Sequence, residues 1–279
     1  MLLRYQHPST SGTLRLVQRE PAFNRRFSHE ADQLLTIAWN TGPDQAVAID
    51  EVPLLFPTQS VLPLMANQSF RFDQPESIIA WQFNRDFYCI IDHDQEVSCV
   101  GFLFYGAADT LLVRLDAEEQ RKFALLLQVF VDEFKTPDTI QGEMLLMLLK
   151  RLIIKITRLG KQQYVGPELT EDRLDLIRQF NLLVERHFAE QHQVQFYADQ
   201  LNRSPKTLSN LFGQYDHKSP LQIIHERVIL EAKRLFYYTD QSAKEVGYRL
   251  GFSDAAHFSR FFKRATGVSP SEFKTSDER

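Results

Sequence analysis

Residues 252–270 read FSDAAHFSRFFKRATGVSP, and this stretch decides the architecture of the chain's second half. Phe258, Phe261 and Phe262 fall at i, i+3 and i+4, a stripe that a helix turns toward its core. His257, Arg260 and Arg264 fall at i, i+3 and i+7 on another face, with Lys263 beside them. Ser253 is the expected cap, Asp254 suits the positive end of the helix dipole, and Gly267 is the expected stop. The aromatics hold the helix onto its domain and are core, not base-stacking platforms. The polar face is left for something anionic.

The same unit occurs twice. YADQLNRSPKTLSNLFGQYDHKSP, from Tyr197, can be laid over VGYRLGFSDAAHFSRFFKRATGVSP, from Val246. Leu201 and Leu250 are 49 residues apart, as are Ser204 and Ser253. Leu208–Phe212 and Phe258–Phe262 are 50 apart, as are Ser219-Pro220 and Ser269-Pro270, so one inserted residue separates the copies. Each copy predicts a short helix, a tight turn and a second helix. In the first copy Ser204 is the cap, Pro205 suits the first helical position, and Gly213 lies near the end. This is the helix-turn-helix pattern, whose second helix enters the major groove of DNA. Between the copies, Leu221, Ile224, Val228, Ala232 and Leu235 form one stripe, which predicts a single helix over Pro220–Tyr238.

Charge divides the chain in the same way. The whole carries −4, but residues 1–172 hold 16 Lys+Arg against 23 Asp+Glu, and residues 173–279 hold 16 against 13. An acidic half joined to a mildly basic half points to two tasks. The richest apolar run, MLLMLLKRLIIKI, is interrupted by Lys150 and Arg151, so no membrane span is expected. Nor does MLLRYQHPST have the longer apolar region of a secretory signal. Cys89 and Cys99 alone make no disulfide framework, and buried thiols in a reducing cytoplasm are expected.

The first half reads as strands between about Gln33 and Leu115. QLLTIAW, QAVAI, SIIAWQF, YCIID and TLLVRL are short apolar or alternating runs, separated by turn signals such as NTGPD, DQPE and NRD. Their regular spacing predicts an antiparallel barrel or sandwich. Two amphipathic helices follow, over Ala117–Phe134 and Asp138–Leu159. The second carries Leu146, Met147 and Ile154 off its main stripe. A homodimer contact would use them, and so would a helix buried on both sides within its own domain. Residues 160–172, GKQQYVGPELTED, read as a linker.

Ala243–Phe273, AKEVGYRLGFSDAAHFSRFFKRATGVSPSEF, closely resembles the second helix-turn-helix of the AraC/XylS family of bacterial transcription regulators. FYADQLNRSPKTLSNLFGQY resembles the first. The resemblance implies a seven-helix DNA-binding domain over 173–279, with motifs at about 194–215 and 243–266. The preceding residues 1–159 resemble, more faintly, the family's cupin-like sensing domain. The expected fold is therefore two-domain α+β: an antiparallel cupin-like β-barrel with C-terminal helices, then an all-α domain with two helix-turn-helix motifs. By helical count and resemblance, Lys206, Thr207, Ser209 and Asn210 face DNA in the first motif. In the second, Ala256, His257 and Arg260 do so, with Lys263 and Arg264 nearby. The implied partners are double-stranded DNA, RNA polymerase and a small-molecule effector held in the barrel. The role the resemblance implies is that of a cytoplasmic activator.

Metal-binding cupins bring two or three His and a Glu together. Here LLFPTQSVL places Gln59-Ser60 where a further His would stand, and the first half holds only His7, His29 and His93. No metal or cofactor is expected. The acid-rich DHD at 92–94 is expected to be a polar turn, and Glu118-Glu119 to complement a helix dipole. A cupin-type enzyme with an accessory helical domain is the competing reading. It needs convergent ligands or a perturbed acid–base pair, and the sequence offers neither; a regulator, not an enzyme, is expected.

Overall fold

The computed structural model describes residues 1–25, 34–66, 68–88, 103–104, 111–164, 171–215 and 218–275. His29, Cys89, Cys99, the DHD at 92–94 and most of the YCIID run lie outside the described residues, as does part of FSHEADQLLTIAW. The chain divides into two compact units, Met1–Glu168 and Leu169–Arg279.

The first unit contains nine strands among the described residues. They are β1 (Leu2–Gln6), β2 (Thr13–Gln18), β3 (Leu35–Asn40), β4 (Gln45–Ile49), β5 (Val52–Phe56), β6 (Ser60–Leu64), β7 (Phe70–Phe72), β8 (Ile78–Phe83) and β9 (Val113–Arg114). They form two antiparallel sheets, in the orders β1-β2-β8-β3-β6-β9 and β5-β4-β7. The expected closed barrel is corrected to this open arrangement among the described residues. The reason lies in the central strands, which are buried on both faces. Ile37 and Trp39 of β3 turn to one core and Ala38 to the other. Likewise Val61 of β6 belongs to the first core, Leu62 and Leu64 to the second. Alternate side chains of one sheet thus feed two layers, and every residue of β3 is buried.

One of those layers is the small sheet, through Val47, Ile49, Phe56, Phe70 and Phe72. The other is a helix pair, α1 (Ala117–Phe134) and α2 (Gln141–Tyr164). Phe123 meets Trp39 edge-on at 5.8 Å, and Phe130 lies 5.7 Å from Trp81. Asp116 caps α1 by accepting from the amides of Glu118 and Glu119. The second helix continues past the point where a linker is expected, and residues 160–164 are helical. The side chain of Gln163 hydrogen-bonds both the amide and the carbonyl of Arg114, and the Tyr164 hydroxyl donates to the Leu112 carbonyl at 2.6 Å. These bonds cover the β9 edge and tie down the last turn of α2.

The second unit is all-helical among the described residues: α3 (Glu171–His187), α4 (Val194–Gln200), α5 (Pro205–Tyr215), α6 (Pro220–Tyr238), α7 (Ala243–Arg249), α8 (Ala255–Thr266) and α9 (Pro270–Thr275). The expected single helix over Pro220–Tyr238 is observed, opened by a capping box between Ser219 and Gln222. It serves two cores. Ile224 packs with Phe180, Tyr197, Leu208 and Phe212, while Val228, Ala232, Leu235 and Phe236 pack with Val246, Phe258 and Phe262. Leu221, expected on that stripe, is exposed instead.

Candidate nucleic-acid interface

The internal repeat is present in the backbone hydrogen bonds. Leu201 N donates to Tyr197 O at 3.1 Å, and Arg203 N to Ala198 O at 2.9 Å. Leu250 N donates to Val246 O at 3.0 Å, and Phe252 N to Gly247 O at 2.9 Å, which is the same pair of bonds 49 residues later. Between these bonds the chain reverses through one left-handed residue, Asn202 at φ 52° in the first copy and Gly251 at φ 76° in the second. Asn and Gly are the residues that tolerate this conformation.

The inserted residue can now be assigned. Ser204 Oγ accepts from the Thr207 amide at 3.0 Å. In the second copy the cap is Asp254, which accepts from the amides of Ala256 and His257 at 3.0 and 3.2 Å. Ser253, expected as the cap, is instead the extra turn residue, and the offset becomes 50 after it. A carboxylate cap also meets the helix dipole with a full charge, which a hydroxyl does not. Gly267 ends α8 in the left-handed conformation at φ 84°. Gly213, expected near a helix end for the same reason, lies inside α5.

From the caps onward the second helices match face for face. Leu208, Leu211 and Phe212 are buried, as are Phe258, Phe261 and Phe262. Opposite them Lys206, Thr207, Ser209 and Asn210 are exposed on α5. On α8, Ala256, His257, Arg260, Lys263 and Arg264 are exposed. All nine expected DNA-facing residues therefore stand on the two solvent faces. The first and second helices of each motif cross closely. Ala198 is fully buried at the first crossing, and a Cβ at Gly247 would stand 3.1 Å from Phe258.

Two features of this surface come from outside the motifs and could not be read from the repeat. Where α8 carries Arg264, the equivalent position of α5 is Gln214, whose side-chain oxygen accepts from Arg173 of α3 at 3.3 Å. A neighbouring helix thus supplies the cation that α5 lacks. Behind the surface, Arg227 of α6 bonds Glu185 at 2.6 Å and Glu231 at 3.0 Å, and lies 3.8 Å over the Phe188 ring. A buried guanidinium paired twice is expensive to disturb, and this one joins α3 to α6.

The surroundings of the second motif are aromatic and imidazole-rich. The His192 ring lies 4.7 Å from that of Phe252, tilted by 36°, His257 meets the same ring edge-on, and His225 meets Phe261 at 5.0 Å. Burial pushes His192 below the ordinary histidine range. Burial, then the charge of Arg264, does the same to His225. Tyr197, pushed up by burial, donates its hydroxyl to the Gln191 carbonyl at 2.7 Å.

In the first unit, His7 accepts from the Ser9 amide at 3.2 Å through Nδ1. Among the described residues no group of three His, Cys, Asp or Glu is placed to hold a metal ion. No helix of the described residues is long and apolar enough to cross a membrane.

Residues 197–276 match the family model HTH_18, a helix-turn-helix domain. Among curated proteins, the HTH-type transcriptional activator RhaS of Enterobacter sp. (strain 638) is 32% identical over 109 residues, covering 39% of this chain and 38% of the relative. RhaS of Citrobacter koseri is 27% identical over 157 residues, covering 56% and 54%. The chain thus spans about half the length, or less, of the curated relatives it matches. Among solved structures, the DNA-binding domain of AdpA, in complex with a target DNA, is 29% identical with a TM-score of 0.33, over 36% of this chain and 90% of that one. ToxT of Vibrio cholerae O395 is 16% identical with a TM-score of 0.43, over 98% and 95%.

Proposed function

We propose that the chain is a sequence-specific transcription regulator of the AraC/XylS type, reading double-stranded DNA through its C-terminal unit, whose residues 197–276 match a helix-turn-helix family model. The observation that carries this is the repeated backbone. Two turns with the same hydrogen bonds, followed by capped helices, present two matching solvent faces. The faces differ in chemistry. Lys206, Thr207, Ser209 and Asn210 offer one full charge and several short polar groups, suited to mixed base-edge and phosphate contacts. Arg260 can make the bidentate contact to guanine, Lys263 and Arg264 suit phosphates, and Ala256 leaves room for a thymine methyl.

Two reading helices joined by α6 set the geometry. Its 19 residues span about 28 Å at about 1.5 Å per residue, close to the roughly 34 Å between successive major-groove faces on one side of DNA. The activator role, the contact with RNA polymerase and control by a small effector held in the first unit are further parts of this reading. The similarity to transcriptional activators supports the first of them. The first unit, with its two cores and helix pair, is the part available for control.

Selection from a randomised duplex library tests the reading. The enriched sequences should contain two short conserved blocks about one helical turn apart. Binding that is equally tight to every sequence would reject it.

A further inference from the structure

The second motif is held by more than α6. Its turn also rests on the connection between α3 and α4, residues 188–193, which lies outside both motifs. A Cβ at Gly251 would run into the Ala189 carbonyl oxygen and stand 3.3 Å from the Glu190 Cα. The ring of the next turn residue, Phe252, is 4.7 Å from that of His192. It is also 5.4 Å from His257, 5.3 Å from Phe258 and 5.2 Å from Phe261, all on α8. His192 thus bears on the second reading helix through a single intervening ring. At the start of the connection, Phe188 packs against both cores of the unit, and the Arg227 guanidinium of α6 covers its ring at 3.8 Å.

We propose that His192 is a positioning residue for DNA reading, its ring bracing the turn of the second motif so that the two reading helices keep one separation and the chain accepts one half-site spacing. This rests on the DNA-reading function proposed above. The two cores follow one another along α6, Ile224 in one and Val228 in the next. A single helix resists bending, but a motif packed along it can still roll about that line of contact. The connection from Phe188 to His192 supplies a contact off that line. A roll of α8 about α6 would part Phe252 from His192.

The brace responds to protons. Burial is the largest influence and opposes charge on His192, as does His257 of α8, while the backbone of Leu250 and of Phe188 favours it. His225 of α6 is the other imidazole within electrostatic reach. The net effect holds the ring below the ordinary histidine range, so the docked form keeps it neutral. Below about pH 6.5 the undocked form takes up protons first, and the brace loosens as pH falls further.

The test uses the full chain and a duplex selected from a randomised library, with a second version carrying two extra base pairs between its conserved blocks. The insertion moves one block by about 7 Å and turns it by about 70°. At pH 7.5 the chain should bind the selected spacing at least about tenfold tighter than the lengthened one. His192→Ala should bring that ratio below about threefold, whereas His192→Phe, which keeps a ring and cannot take up a proton, should retain it. At pH 5.5 the ratio for the unaltered chain should fall at least about threefold, and that for His192→Phe should stay put. The ratio is read because it cancels what exposed groups such as His257 contribute to both duplexes. Hydrogen exchange of the free protein supplies a readout without DNA. The Phe252 amide, bonded to the Gly247 carbonyl at 2.9 Å, should exchange faster in His192→Ala but not in His192→Phe. Indifference of the unaltered chain to the insertion, the same ratio in His192→Ala, or an equal pH response in His192→Phe would each overturn the proposal. Binding that ignores sequence altogether would instead reject the DNA-reading function, and hydrogen exchange would still decide the brace.

Discussion

Replacing Gly251 by alanine should unseat the second reading helix without touching the first unit. Gly251 holds φ 76°, a conformation that costs an L residue roughly 1–2 kcal/mol. A Cβ there would also run into the Ala189 carbonyl oxygen and lie 3.3 Å from the Glu190 Cα, both backbone atoms that no rotamer change can move. Overpacking of this kind adds about 1–3 kcal/mol. The lower edge of the combined effect, about 2 kcal/mol, corresponds to a fall of about 8–16 °C in the melting temperature of a domain this size. Asn202→Gly, at the equivalent turn of the first motif, should do the opposite and leave stability unchanged or raised by up to about 1 kcal/mol. The two units can be followed separately. Both tryptophans, Trp39 and Trp81, lie in the first unit, so their fluorescence reports it alone, while far-ultraviolet dichroism is dominated by the helical second unit. Gly251→Ala should move the dichroism transition and leave the tryptophan transition in place. If it shifts neither, the turn is not built as described and the equivalence of the two copies fails with it.

Further expectations bear on the same unit. Asp254→Ala should cost about 1–2 kcal/mol as a lost cap, and Ser253→Ala almost nothing; equal losses in urea unfolding would restore Ser253 as the cap. Arg260→Ala should weaken a selected site by about 1–3 kcal/mol and relax preference at one base pair, whereas Lys263→Ala should weaken all sequences alike and reduce the salt slope by about one. Uniform losses with one salt slope in both variants would show that these side chains do the same job. His192 and His225 are held below the ordinary histidine range, so the fold favours their neutral forms. The unfolded chain then takes up protons first as pH drops below about 6.5, and stability of the second unit should decline from there downward. His192→Gln/His225→Gln should flatten that decline in dichroism melts between pH 7.5 and 5.5, and an unaltered slope would assign it to other groups.

How much of this was legible beforehand follows from what each signal depends on. The repeat, the buried phenylalanines and the helix joining the motifs depend on spacing along one chain, and spacing is what a sequence displays. Ser253 and Asp254 are both good cap residues, so the sequence does not separate them, and only the hydrogen bonds show that Asp254 reaches the amides. No spacing within the motifs points to Arg173, which reaches Gln214 from another helix. In the first unit, QAVAI coincides with β4, but the strand pattern legible in the sequence begins at about Gln33, after β1 and β2. The β1–β2 hairpin has only HPSTSG between its strands as a turn signal, and LLRYQ lacks a clear apolar alternation. A barrel was expected because short, evenly spaced strands do not say how a sheet's two faces are covered. The near-continuous apolar run of QLLTIAW, rather than a strict alternation, is the sequence clue to a strand covered on both faces.

The central claim, that one chain places two equivalent helices in DNA, is tested most directly by hydroxyl-radical footprinting of the full chain on a selected site. Two protected patches per chain are expected on one side of the duplex, centred about 10 base pairs apart, with Arg260→Ala weakening only one of them. A single patch of about 5 base pairs, or two patches that Arg260→Ala weakens equally, would contradict it.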